Sequence, residues 1–220
     1  MRKVLLLAAL MLFAISGFAD TEYNSFNGYN PYWHPLGYPN TATYGETFLA
    51  PTNGDNFLQN FSFYLAGPYA PGDIVMSAYI AEWTGTHAGT LLYASSPIDY
   101  QNTGNAQLTF NTGGIALTPG AMYIAFLSIS QYYGDSQGET YISAGDGNVP
   151  GGGFAYFNNS GDFNALFTQN WDASGLSPDF AFSASFNAGG TGTTPEPGTF
   201  LLLGSGLLGT LGVVRRKLQK

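Results

Sequence analysis

The period of the apolar residues constrains the fold of this chain most. Between Asp20 and Thr194 no window repeats apolar residues at i, i+3, i+4 and i+7, the spacing that lets a helix bury one face. Period two recurs instead. Phe180, Phe182, Ala184 and Phe186 alternate with Ala181, Ser183 and Ser185, and Phe61, Phe63 and Leu65 alternate with Ser62 and Tyr64. Ile74, Met76, Ala78 and Ile80 share one face of a strand that runs to about Trp83. Met122 to Ile129 is nearly continuous in apolar residues, which predicts a central strand covered on both faces. Weaker strands fit around Tyr44 to Leu49, Leu91 to Ala94, Gln107 to Phe110, Thr140 to Ala144 and Phe154 to Phe157. Turn residues separate them, among them Pro71-Gly72-Asp73, Thr103-Gly104-Asn105, Pro119-Gly120 and Gly151-Gly152-Gly153. Eight or nine short strands in one domain predict an all-β fold: two antiparallel sheets packed face to face as a β-sandwich, in jelly-roll order, with a closed barrel as the alternative. No cysteine is present, so the core must hold without disulfides.

Charge is segregated along the chain. All six Lys and Arg residues lie at the ends: Arg2, Lys3, Arg215, Arg216, Lys217 and Lys220. The stretch from Asp20 to Thr194 has none, yet it carries thirteen of the fourteen carboxylates, the other being Glu196. A nucleic-acid partner is excluded, because binding one needs cations to displace the counterions of the phosphates. Lys or Arg salt bridges are excluded within this stretch too, so its solubility rests on carboxylates, amides and hydroxyls.

The two ends read as targeting segments. Arg2 and Lys3 precede an apolar run from Val4 to Ile15, and Ser16-Gly17-Phe18-Ala19 supplies small residues for signal-peptidase cleavage after Ala19. Residues 1–19 are thus a signal peptide with a helical apolar stretch, 20–188 the β-sandwich domain, and 189–194 a Gly/Thr linker. Residues 195–220 hold Pro195, Glu196 and Pro197, an uncharged run from Gly198 to Val214, and the basic cluster Arg215, Arg216 and Lys217. Seventeen helical residues span about 25 Å, at the short end for a transmembrane helix. The positive-inside rule keeps both basic ends cytoplasmic and sends the middle out. The order of linker, Pro-Glu-Pro, short Gly/Leu-rich span and basic cluster resembles the PEP-CTERM protein-sorting domain. The resemblance implies that Pro195, Glu196 and Pro197 are sorting-signal residues and that Arg215, Arg216 and Lys217 act as stop-transfer charge. It further implies membrane residence before processing, an exosortase-like membrane peptidase as partner, and an association with exopolysaccharide. A permanent single-span anchor is the alternative.

Sugar-binding surfaces pair exposed aromatic rings with Asn, Asp and Gln, and this domain is rich in both. Tyr29, Tyr32, Trp33 and Tyr38 cluster in an Asn/Pro-rich N-terminal segment, and Tyr132 with Tyr133 precedes Gly134-Asp135. Tyr32, Trp33, Tyr132 and Tyr133 are therefore the candidate carbohydrate-binding residues. The bland reading is that Phe and Trp fill the core, Tyr covers its rim, and the N-terminal cluster lies over a sheet edge. The segment Leu117 to Tyr123 also resembles a turn-into-strand element of exported jelly-roll carbohydrate-binding modules. Asp55, Asp135 and Asp146 sit in Asx-rich loops whose oxygens suit Ca²⁺, although the same loops form turns without an ion. Two histidines without cysteine are too few ligands for zinc. A glycosidase would need paired carboxylates, for which Glu82 and Glu139 are the available pair, but no nucleophile elbow or phosphate-cradling loop is present in the exported stretch. The expected function is an exported, non-catalytic surface or matrix protein that binds exopolysaccharide, with a secreted glycoside hydrolase as the alternative.

Overall fold

The alternation of Phe61, Phe63 and Leu65 with Ser62 and Tyr64 lies in the longest strand, Phe57–Ala70, and this strand organises one sheet. The computed structural model describes residues 20–173 and 179–189. The signal peptide and the sorting tail lie outside the described residues. Twelve strands run in order: β1 (Thr21–Asn24), β2 (Phe26–Gly37), β3 (Thr43–Leu49), β4 (Phe57–Ala70), β5 (Ile74–Trp83), β6 (Ala88–Ala94), β7 (Ile98–Tyr100), β8 (Asn105–Ala116), β9 (Met122–Ser128), β10 (Glu139–Gly145), β11 (Gly153–Phe157) and β12 (Phe182–Asn187). Every strand-to-strand ladder is antiparallel.

In the first sheet β8 flanks one side of β4, pairing Phe57 to Ala66 with Ala116 to Asn105. On its other side β4 meets two strands laid end to end, β10 along Leu65 to Ala70 and β12 along Phe57 to Phe63. β2 and β1 then pair with β10 and β12 as the outer row. The second sheet runs β11-β3-β9-β5, with β6 and β7 side by side on the far edge of β5. Main strands therefore order as β2-β10-β4-β8 against β3-β9-β5-β6, and the chain changes sheet at nearly every connection. This is the jelly-roll order, so the sandwich reading holds and the barrel is set aside.

Between the sheets lies an aromatic core. Phe63 stacks on Phe180 at 4.5 Å and tilts against Phe182 at 5.5 Å, while Phe48 of the opposite sheet stacks on Phe182 at 5.8 Å. A second, smaller core covers the outer face of the second sheet. There residues 158–173 fold back over Tyr79, Ile124 and Phe126 with Leu166 and Trp171. Trp171 is fixed at both ends: its Nε1 donates to the Leu166 carbonyl at 2.9 Å and its backbone N–H to the Thr86 carbonyl at 2.8 Å. With the main core on one side and this cap on the other, β9 has no solvent face, which accounts for its unbroken apolar run.

The N-terminal segment departs from expectation. No strand is expected from sequence in this Asn/Pro-rich segment, but Thr21–Gly37 is an edge row of the first sheet. Proline is tolerated there because an edge strand has one side free of ladder bonds, and at bulges. Pro31 pairs with Ser143 and Phe26 with Gly145, so residues 27–30 bulge outward. Ser143 Oγ fills the gap, donating to the Gly28 carbonyl at 3.0 Å and accepting from the Asn30 N–H at 3.2 Å. At one end of the sandwich the 71–73 and 137–138 turns are in contact. A Cβ on Gly138 would fall 2.0 Å from the Gly72 carbonyl oxygen, so only glycine fits.

Candidate functional site

The strands that bury Phe61, Phe63, Phe110, Phe182 and Phe186 must turn their alternate residues outward. The registers place these outward residues side by side. Asn24, Ser183, Ser62 and Thr109 form one row across β1, β12, β4 and β8, and Glu22, Ser185, Asn60 and Asn111 form the next. Tyr64 opposite Gln107 continues the pattern toward the other end of β4. The result is a lattice of amides and hydroxyls with one charged member, spaced about 4.8 Å across strands and about 6.8 Å along them.

Neighbours in the lattice bond one another. Asn60 Nδ2 donates to Ser185 Oγ at 2.6 Å, Gln107 Nε2 donates to Ser62 Oγ at 3.3 Å, and the Ser62 and Thr109 hydroxyls lie 2.8 Å apart. These bonds fix side-chain orientation, while each amide keeps further donor and acceptor capacity toward solvent. Gln107, Thr109 and Asn111 are exposed. The lattice ends on aromatic rings: Phe26 lies flat on Tyr64 at 3.9 Å, and Tyr29, 37% exposed, meets Phe26 edge-on at 5.0 Å. Tyr69, 52% exposed, stands perpendicular to Tyr141 at 5.2 Å. A hydrogen-bonding floor with Glu22 as its one charged member, beside exposed Tyr29 and Tyr69, is suited to ligands with hydroxyl edges and apolar faces.

The residues singled out from sequence fall elsewhere. Tyr32 is half-buried against the main core, 5.2 Å from the His34 ring and 6.0 Å from Phe154. Burial there lowers the His34 pKa. Trp33 is on the same strand, and its side chain lies outside what is described. Tyr132 closes a short 3-10 turn, Ser130–Tyr132. Tyr133 donates its hydroxyl to the Pro39 carbonyl at 2.7 Å and packs on Tyr38. Tyr32, Tyr132 and Tyr133 are not gathered onto one surface with the lattice. Their richness in sequence was visible, whereas the lattice needed the register: its signal was the polar parity of strands noticed for their apolar parity.

Asp55 is buried and accepts from Thr21 Oγ1 at 2.8 Å and Asn53 Nδ2 at 3.2 Å, closing its own turn. Asp135 and Asp146 are exposed in two other loops. Among the described residues no three His, Asp or Glu side chains converge on one point. Glu139 is buried and accepts from Asn40 Nδ2. It follows Gly138, whose N–H bonds Asp73 beside the start of β5, whereas Glu82 is exposed near the end of that strand. The eight steps along the strand from Ile74 to Glu82 span about 26 Å, well beyond the roughly 5–10 Å that glycoside hydrolysis requires. An open depression of about 490 Å³ adjoins Trp171, lined by Thr86, Asn170 and Asp172. Trp171 itself is buried beneath it.

No curated protein matches the sequence. One solved structure similar in shape is that of the cysteine protease and lectin-like domains of Cwp84, a surface layer associated protein of Clostridium difficile. It is 11% identical, with a TM-score of 0.47, and the alignment covers 77% of this chain and 36% of that one. The tail is different in kind, since the match there is one of sequence. Residues 193–217 match the PEP-CTERM protein-sorting motif, so this jelly-roll domain is joined to the sorting signal of an exported protein that an exosortase recognises.

Proposed function

We propose that the domain is a non-catalytic module that holds a neutral extracellular polysaccharide against the outer face of the first sheet, and that the exosortase removes the tail during export. The observation that carries the glycan reading is the lattice of amides and hydroxyls, with Glu22 its one charged member, that ends on exposed Tyr29 packed beside Phe26 and Tyr64. Hydroxyl groups of a glycan match such a surface in both donor and acceptor capacity, and exposed rings stack on the apolar faces of sugars. Thirteen carboxylates without a Lys or Arg repel an anionic polymer and leave a neutral one indifferent to charge. The separation of Glu82 from Glu139 supports binding without hydrolysis.

Affinity gel electrophoresis tests this. The domain should be retarded in gels containing a neutral glucan, mannan or galactan, or the neutral polymer of the producing cell, and should run freely in an anionic polymer. Replacing exposed Gln107 and Asn111 by Ala together, or Tyr69 by Ala, should abolish retardation while leaving the melting temperature within a degree or two. Tyr132→Ala should have no effect on it. Free migration of the wild type in every neutral polymer, including that of the producing cell, would leave a structural surface protein that binds no glycan.

A further inference from the structure

A buried carboxylate on β3 has no cationic partner among the described residues. Glu46 is 0% exposed. Its Oε2 accepts the Phe180 N–H at 3.1 Å, and the Gly153 N–H lies close to the carboxylate, but Oε1 has no hydrogen-bond partner. A carboxylate in this setting must find a proton or a cation, because an isolated buried charge is strongly disfavoured. A proton neutralises Glu46 alone, whereas a divalent cation also offsets the charge of neighbouring Asp179. Lys and Arg are absent from the whole stretch between Asp20 and Thr194.

The surroundings of Oε1 are rich in oxygen. A Cβ placed on Gly152 would stand 2.9 Å from Oε1 and 2.7 Å from the Val149 carbonyl oxygen, so both oxygens border the space that this glycine leaves open. Asp179 immediately precedes the residue whose N–H bonds Glu46, and the two acids repel each other. Asp179 Oδ2 lies 3.3 Å from the Cβ position of Gly147, in the same loop as Gly152. The loop is held in place by the Gly145 N–H, which donates to the Asp179 carbonyl at 2.7 Å. Both carboxyl groups have raised pKa values, chiefly from desolvation, with Asp146 adding to the repulsion at Asp179.

We infer that Glu46 and Asp179, together with main-chain oxygens of the 145–153 loop, form a calcium site. Two carboxylates supply the two negative charges that a Ca²⁺ ion neutralises, and carbonyl oxygens and water complete the six to eight oxygens it takes. Mg²⁺ suits the site less, because it demands near-octahedral geometry and gives up its water reluctantly. The site differs from Asp55 and Asp135 and does not depend on the glycan reading. Sequence spacing conceals it, since Glu46 and Asp179 are brought together only by the bond of Glu46 to the Phe180 N–H, in the segment that precedes β12.

The experiment uses the Asp20–Gly189 unit, which contains both cores. Calcium is titrated into chelator-treated protein at constant ionic strength and pH 7, with heat of binding and melting temperature as readouts. One ion should bind per chain, and a hundredfold excess over the Kd should raise the melting temperature by about 5–10 °C. Mg²⁺ at the same concentration should raise it less. Glu46→Gln and Asp179→Asn should each lose the heat and the shift, and Asp55→Asn and Asp135→Asn should keep both. Asp179 is only half-buried, so Asp179→Asn decides the matter if Glu46→Gln does not fold. A wild type that gives no calcium-dependent heat or shift, or an Asp179→Asn variant with undiminished response, overturns the assignment.

Discussion

Phe63 packs its ring against Phe180 and Phe182 in the aromatic core and has no exposed surface. Phe63→Ala should cost about 3–5 kcal/mol, measured as a drop in the urea midpoint with an unchanged slope. Glu46 contributes to stability in the opposite sense to an ordinary salt-bridged acid. Its pKa, and that of Asp179, are raised in the folded state by desolvation, so the fold holds these protons more tightly than the unfolded chain does. The resulting stabilisation is fully present below the unfolded carboxyl pKa, about 4. It is lost as pH rises through the raised native values. In chelator the melting temperature should therefore fall as the pH is raised above the unfolded carboxyl value, and Glu46→Gln should flatten that slope. A wild-type melting temperature that rises instead would show that the buried acids are not what sets it. Neither residue was legible as special: Glu46 sits inside a strand-like run, and Asp179 looks like any loop acid.

At the level of elements, the legible strands were those whose two faces differ. β4 and β12 read directly, because Phe against Ser or Asn leaves one register that buries the rings. β2 did not read as a strand, since Pro31 and Pro35 argue against any central strand and only the fold reveals that this one lies at an edge. The cap over the second sheet was also illegible. Phe163, Leu166 and Trp171 follow no long period, and the cap's only helical part is the 3-10 turn Phe163–Phe167, started by Asp162 accepting the Ala165 N–H at 3.2 Å. The polar lattice was legible in half: each strand showed its Ser, Asn or Gln parity, but the neighbours across strands depend on pairings far apart in sequence, as Glu22 with Ser185 and Asn60 with Ser185. Because the cap hangs on Trp171, Trp171→Ala should lower stability by about 3–5 kcal/mol. Thermolysin should then cut first within residues 158–173 while the main core stays protected. First cuts in β4 or β12 would mean that the two cores unfold together.

Over the whole molecule, the separation of charge ties folding to export. The exported stretch holds thirteen carboxylates and no Lys or Arg, so it repels itself, and raising NaCl from 20 to 500 mM should raise its melting temperature as screening shortens the reach of that repulsion. All of the Lys and Arg charge lies in the terminal segments that the proposed processing would remove, Arg2 and Lys3 at one end and Arg215 to Lys220 at the other. Maturation therefore changes the net charge from −8 to about −13, if cleavage falls after Ala19 and at or before Pro195. It also leaves a chain without a single tryptic site, which makes intact mass the measurement of choice. Protein recovered from the envelope of the producing cells should begin at Asp20 and lack Arg215 to Lys220, and deleting the exosortase should restore the full C-terminus and retain the protein in the membrane fraction. Recovery of the basic cluster in the mature surface fraction of unaltered cells would instead make the tail a permanent anchor. The PEP-CTERM match would then mark where the chain is held rather than where it is cut.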